Sequence, residues 1–207
     1  MSVREGSEQG LFTISLDRPE KANSLTESML ETLIGAVDRA VAAGARAIVL
    51  TGTGRVFSAG ADLDAVQAGL ATSALWERLS GGIAAAPALT IAALNGTVAG
   101  GALGMVLACD LRVAVPDAKF FYPVMRLGFL PQPSDPARLA ALVGPARAAM
   151  ILMAGQRIDA ATALDWGLVD RIAAPEALAD TAAALAADAL AADPAHVARI
   201  KRLIRLA

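Results

Sequence analysis

Cysteine, histidine and tyrosine each occur once, as Cys109, His196 and Tyr122, and aromatic residues make up only 4% of the chain. A lone cysteine excludes an internal disulfide, and no cluster of His, Cys and acidic residues has metal-ligand spacing, so no metal is expected. The single histidine lies in the C-terminal stretch and no serine sits in a G-x-S-x-G setting, which argues against a Ser/His/Asp hydrolase. The glycine-rich stretches contain neither the Gly-Lys-Ser/Thr of a P-loop nor the G-x-G-x-x-G of a dinucleotide site. With a net charge of −2, no Lys/Arg block and few rings to stack on bases, nucleic acid is not an expected partner. The N-terminal MSVREGSEQG lacks the apolar centre of a signal peptide, and together with the lone cysteine this predicts a cytoplasmic location. Cys109 itself stands in an apolar run and reads as a small core residue rather than a reactive thiol.

Charge is also missing over one long stretch. No ionisable acid or base side chain other than Cys109 occurs from Leu79 to Cys109, a length that could span a bilayer as one helix. Gly81-Gly82, Pro87, Asn95-Gly96 and Gly100-Gly101 divide it into short pieces of different periodicity, so a buried strand and helix are expected instead of a membrane span. The hydrophobic fraction of 56% exceeds the roughly 45–50% of an ordinary soluble domain, and the excess is largely alanine, which suits close packing.

What is present reads as a single α/β domain over 1–207, with an α/β core over 1–135 and a helical C-terminal region over 136–207. Leu11–Leu16 and Ala47–Thr51 have strand character, and Thr26 is a plausible N-cap for the helix between them. Thr51–Gly60 reads as a loop, followed by helices over Ala61–Gly69 and Ala74–Ile83. The strand Leu89–Leu94 then passes through a glycine turn into a helix beginning near Gly100 or Gly101, and another strand covers Leu111–Val115. Pro116–Asp135, with four prolines, reads as irregular. Helices are expected over Ala137–Val143, Pro145–Ala154, Ala160–Trp166, Glu176–Ala192 and Ala195–Leu206, with a strand-like link at Val169–Ile172. The last helix has an apolar face of Val197, Ile200, Leu203 and Ile204 that calls for cover from the chain or a neighbour.

The chain is organised around Asn95–Asp110, NGTVAGGALGMVLACD, where an apolar strand leads through glycines into a helix. Such a junction leaves unpaired backbone N–H groups. Ser58–Leu63, SAGADL, repeats the arrangement. Two such turns side by side would hold one oxygen between two donors, which matter most as negative charge develops on it. Read singly, each glycine simply lets the backbone turn. Asp62 stands at the start of a helix, where a capping carboxylate is favourable.

RPEKANSL (Arg18–Leu25), FSAGADL (Phe57–Leu63), NGTVAGGALGMVLACDLRVA (Asn95–Ala114) and YPVMRLGFLP (Tyr122–Pro131) together resemble the crotonase superfamily, the enoyl-CoA hydratase/isomerase family. The resemblance implies a spiral of ββα units, shortened at its C-terminus relative to the family, and the lyase or isomerase chemistry of fatty-acid metabolism. It implies an acyl-CoA or enoyl-CoA substrate, no cofactor beyond that CoA, and a homo-oligomer, trimer or hexamer. Ala61 and Gly101 match the positions whose backbone N–H groups form the family's oxyanion hole. Lys21, Ala22, Ala59, Asp62 and Leu63 match the segments lying against CoA, although a lone surface lysine such as Lys21 can equally be just solvated.

The chain departs from the pattern where the family's hydratases carry two glutamates. Those positions are Gly104 and Val124, and neither side chain can move a proton. Losing acid–base catalysis typically removes roughly 10²–10⁴-fold, so ordinary hydratase activity is expected to be very low. Another position used by some family members falls at Gln132, a poor base. Tyr122, Gln132 and Asp135 are the candidate acid/base groups, with Arg126 nearby, while Asp135 also reads as a cap of the following helix and Tyr122 as a core residue. Three readings remain: an acyl-CoA enzyme with an atypical proton-transfer group, a non-catalytic acyl-CoA-binding or partner subunit, and a purely structural subunit.

Overall fold

A computed structural model describes residues 2–206; Met1 and Ala207, the limits of the expected domain, lie outside the described residues. The chain opens with β1 (Val3–Glu8) antiparallel to β2 (Leu11–Leu16). Gln9 and Gly10 between them both have positive φ, the backbone that a tight hairpin demands. β1 falls outside the strands expected from the sequence because only Val3 is buried, so it carries no apolar alternation. α1 (Glu27–Ala42) starts where Thr26 accepts the Met29 N–H at 3.3 Å, and its Met29, Leu30, Leu33, Ile34 and Val37 face the core. β3 (Ala47–Gly52) then runs parallel to β2.

From here a repeating unit takes over. β3 is followed by β4 (Val56–Ser58), α2 (Leu63–Gln67) and α3 (Leu75–Ala85). β5 (Leu89–Leu94) is followed by β6 (Thr97–Ala99) and α4 (Ala102–Ala108), and β7 (Leu111–Ala114) by β8 (Lys119–Phe121) and α5 (Val124–Leu127). The first strand of each unit joins a six-stranded sheet of order β1-β2-β3-β5-β7 with one late strand beyond β7, and the second joins a four-stranded sheet headed β4-β6-β8. Each turn of the chain therefore advances both sheets by one parallel strand, which is the ββα spiral that the resemblance implies.

After the spiral come α6 (Asp135–Val143), α7 (Pro145–Leu152), β9 (Ile158–Asp159) and α8 (Ala160–Trp166). β10 (Arg171–Ile172), α9 (Leu178–Ala191) and α10 (Pro194–Leu206) complete the chain. β9 pairs with β8 and β10 with β7, so this mostly helical stretch is stitched to both sheets. α9 lies across β3, β5 and β7, while α1, α3, α4 and α6 pack in succession. α4 is buried on every side, which accounts for the absence of charge around it. Among the described residues no helix is long and apolar enough to cross a membrane.

Two expectations are corrected, and a third is made more specific. β4, β6, β8 and α5 occupy stretches read as loop, turn or irregular chain, because three or four residues are too few to display a period. Asp135 does not cap α6: Ser134 holds the cap position, no side chain caps the helix, and Asp135 turns inward with 1% of its surface exposed. The apolar face of α10 receives no full cover from the described residues, since Ile200, Leu203 and Ile204 are exposed, and it is not what anchors the helix. Lys201 does that, its Nζ donating to the Ala88 carbonyl and pairing with Asp110 at 2.7 Å.

Candidate functional site

The strands hidden from the sequence are the ones that assemble the site. β4 pairs with β6 through Val56 and Thr97, and β6 with β8 through Val98–Phe120 and Ala99–Phe121. The segments leaving these parallel neighbours, at Ala59–Leu63, Gly100–Gly101 and Tyr122–Val124, therefore emerge side by side at the strands' C-terminal ends, where open α/β sheets place their binding loops. The first two touch: a Cβ on Gly60, whose φ is +91°, would sit 2.8 Å from the Ala99 carbonyl oxygen. Ser58 Oγ holds the first turn by accepting the Gly60 N–H at 3.2 Å and donating to the Asn23 carbonyl at 2.8 Å. The second is tied down by Gly100 N–H donating to the Phe121 carbonyl at 3.1 Å. Among the described residues, neither the Ala61 N–H nor the Gly101 N–H donates to any other group of the chain.

Both residues line a cavity of about 210 Å³. Its walls are apolar, built from Leu63, Val66, Trp76, Val124, Phe129 and Leu130. Trp76 is fixed by its indole N–H donating to the Leu70 carbonyl at 2.8 Å, and its ring lies 3.2 Å from where a Cβ on Gly101 would stand. Of the residues expected from the sequence, Ala59, Ala61, Leu63, Gly101, Tyr122, Val124 and Gln132 share this cavity. Lys21, Ala22 and Asp62 do not line it, although the Ala22 carbonyl accepts the Ala59 N–H at 3.0 Å and so runs along its rim. Lys21 is exposed. Trp76 and the Phe129–Leu130 wall escaped the sequence reading, which had no way to fold the expected irregular chain back over the turns.

Asp62 caps α2, accepting the Asp64 N–H at 3.1 Å, and also receives Arg18 Nη1 at 2.7 Å and the Ser24 hydroxyl at 3.2 Å. The Arg18 guanidinium holds its carboxyl below the usual range. Arg18 thereby ties the Arg18–Leu25 segment to the turn that carries Ala61; it lay within a quoted motif, but no local spacing could reveal so distant a partner. Asp62→Ala is expected to cost about 1–2 kcal/mol through the lost cap and part-buried pair. The midpoint of urea unfolding measures this, and an unchanged midpoint would refute it.

Tyr122, Gln132 and Asp135 are brought together, but not as equals. Tyr122 Oη donates to Asp135 Oδ2 at 3.0 Å and accepts the Gln132 backbone N–H at 3.5 Å. The Gln132 side chain is already committed to the Ala71 carbonyl at 3.1 Å. Asp135 lies behind the cavity, against Gly104, where a Cβ would fall 2.8 Å from Oδ1 and 2.9 Å from Oδ2. Oδ1 is buried without a hydrogen-bond partner. Burial raises the Asp135 carboxyl to about 6, opposed by the Tyr122 hydroxyl and Arg138 and reinforced by Glu77. Burial likewise raises Tyr122 above the usual phenol range, so the phenol is neutral.

Arg126 is exposed and lines a different cavity, shared with Arg157, and His196 is exposed on α10. Cys109 is buried, which pushes its thiol up to about 12 and leaves it unreactive. Among the described residues, no group of three or more His, Cys, Asp or Glu gathers as a metal site.

The family model described as enoyl-CoA hydratase/isomerase matches residues 6–206. A Mycobacterium leprae protein named as a probable enoyl-CoA hydratase is 38% identical over 202 residues, covering 95% of this chain and 79% of its own. The 1,2-epoxyphenylacetyl-CoA isomerase of Escherichia coli K12 is 32% identical over 191 residues, covering 86% of this chain and 72% of its own. Among solved structures, the enoyl-CoA hydratase of Bacillus anthracis superimposes with a TM-score of 0.92 at 29% identity, covering 99% of this chain and 83% of that one.

Proposed function

This chain belongs to the enoyl-CoA hydratase/isomerase family, and from that premise we propose that it binds an acyl-CoA and stabilises the enolate of its thioester between the Ala61 and Gly101 N–H groups. The observation that carries this reading is the pair of unpartnered donors on touching turns, both on residues that line one apolar cavity. Ala61 and Gly101 are both half-buried, and two donors left free of the chain on touching turns are available to a ligand oxygen. Backbone donors of this kind act on charge developing on the thioester oxygen, and low surrounding polarity strengthens both. The apolar walls suit an apolar acyl group.

Gly101→Pro removes one donor while keeping a φ close to the observed −58°. Gly101→Ala keeps the donor and introduces the same contact with Trp76. With a cinnamoyl-type CoA as the probe, the proline variant is expected to lose the absorbance shift of the bound thioester and the alanine variant to retain it. A shift that survives in the proline variant removes Gly101 from the site.

A second reading is favoured by Gly104 and Val124: with no carboxylate at either position, the protein keeps acyl-CoA without turning it over. Exchange of the acyl α-proton with solvent deuterium separates the two readings, since binding alone produces none. In both cases hydration of enoyl-CoA is expected to be very slow.

A further inference from the structure

The least explained group in the molecule is the Asp135 carboxylate. It is 1% exposed, one of its oxygens has no partner, and it contributes no helix cap. A buried carboxylate with an unpartnered oxygen costs stability, which its place in the first turn of α6 and the charge of Arg138 offset only in part. Buried acids with this character concentrate where proton transfer is needed. Its sole hydrogen-bond donor is Tyr122, which unlike Asp135 lines the cavity that holds Ala61 and Gly101. Asp135 thus stands one hydrogen bond behind a residue of the cavity wall.

The sequence permits this arrangement only because residue 104 has no side chain. The Asp135 carboxyl fills the space into which any Cβ on Gly104 would project, within 2.8 Å of its position. The space that a side chain at position 104 would enter from α4 is therefore taken by a carboxylate reaching across from α6.

We propose that Tyr122 and Asp135 form the proton-transfer pair of this site, with Tyr122 the catalytic residue that meets the substrate and Asp135 acting through it. The inference rests on the acyl-CoA reading above and supplies the acid/base group that reading leaves open. As the acyl Cα–H bond breaks, its electron pair enters the bond to the carbonyl carbon and the thioester oxygen becomes the enolate oxygen held by the Ala61 and Gly101 N–H groups. The proton passes to Tyr122 Oη, and the phenolic proton passes along the existing 3.0 Å hydrogen bond to Asp135 Oδ2. The phenol is neutral before and after, Asp135 ends protonated, and no other reactant is consumed. Reversal delivers a proton to the same carbon or, in an enoyl system, to another along the chain. The Gln132 N–H, donating to Tyr122 Oη, holds the hydroxyl in line.

The pair carries its own pH signature. Facing Asp135 are Tyr122, Arg138 on α6 and Glu77 on α3, whose carboxylate accepts the Ser134 N–H at 3.2 Å and the Ser134 hydroxyl; α4 contributes no charged group. Burial raises the Asp135 carboxyl to about 6. The proton-accepting form of the pair is therefore present above that pH and lost below it.

The test uses the full-length protein with butyryl-CoA and octanoyl-CoA in deuterium oxide, reading α-deuterium by mass spectrometry, and a bound cinnamoyl-type CoA for the absorbance shift. The wild-type protein is expected to exchange, with a rate that levels off above the Asp135 transition and falls about tenfold per pH unit below it. Tyr122→Phe and Asp135→Asn should each lower exchange by about 100-fold or more while keeping the absorbance shift, and the pH break should vanish in Asp135→Asn. Gly104→Ala provides a variant that alters neither member of the pair but crowds the carboxylate; it should lose exchange and keep the shift. A wild-type protein that shows the shift but no exchange overturns the pair and leaves the acyl-CoA reading standing. So does exchange in Tyr122→Phe or Asp135→Asn within about threefold of wild type. Loss of the shift in the wild-type protein overturns the acyl-CoA reading itself, and the pair with it.

Discussion

Gly104→Ala is expected to destabilise the protein by about 2–3 kcal/mol, although the same replacement inside a helix ordinarily stabilises by about 1 kcal/mol. The ordinary gain comes from the backbone freedom that alanine lacks in the unfolded chain. Here the added methyl would fall 2.8 Å from Asp135 Oδ1 and 2.9 Å from Oδ2, closer than carbon and oxygen approach without displacement. α4 cannot retreat, because it is buried on all sides between β6, α3 and α6. Asp135 must give way, and in moving it loses the Tyr122 hydrogen bond, its only one, while staying in an environment that disfavours an unpaired charge. Removing the carboxylate should reverse the sign: in an Asp135→Ala background, Gly104→Ala should stabilise by about 1 kcal/mol. The four proteins form a double-mutant cycle in which the coupling is about 3–4 kcal/mol, far beyond the few tenths expected of independent sites. Urea unfolding of all four measures it. The same sign in both backgrounds would mean that the two positions do not compete for space.

That competition shows where sequence reading stops. The helices and central strands were legible because each carries its own period: the buried face of α1, or the apolar run of β5, is visible from neighbouring residues alone. Both glycine turns are legible for the same local reason; that Ala61 and Gly101 supply the donors is what the family resemblance implies, a backbone role that needs no particular side chain. What could not be read was which turns become neighbours. That follows from β4, β6 and β8, strands of three residues whose existence depends on pairing with one another. Asp135 is the one carboxylate among the candidate acid/base groups, yet its local setting, Ser-Asp-Pro before a helix, is that of a cap. Its actual surroundings, Tyr122 from the end of β8 and the bare backbone of Gly104 in α4, come from two other turns of the spiral. The glycine at 104 reads as a loss when taken alone. Set against Asp135, it is the condition for a carboxylate arriving from elsewhere.

Asp135→Asn is expected to stabilise the protein at pH 8 and to leave its stability nearly unchanged at pH 4, the difference between the two conditions being about 2–3 kcal/mol. In the unfolded chain Asp135 titrates at its ordinary value of 3.8, whereas burial raises it to about 6 in the folded protein. The folded state therefore holds the proton more tightly than the unfolded one. The resulting stability is fully present below the unfolded value and is lost as pH rises from there through the folded value. Above neutrality the folded protein carries a buried, half-partnered carboxylate at full cost. Asparagine does not titrate and its Oδ1 can still accept the Tyr122 hydroxyl, so the variant escapes that cost without losing the contact. For a chain of 207 residues this corresponds to a rise in melting temperature of roughly 4–12 °C at pH 8, readable by thermal unfolding at both pH values. A variant less stable than wild type at pH 8 would show the carboxylate to be a structural asset. The expected result pairs a gain in stability with loss of α-proton exchange in the same variant, as for a group kept for proton transfer at the expense of the fold.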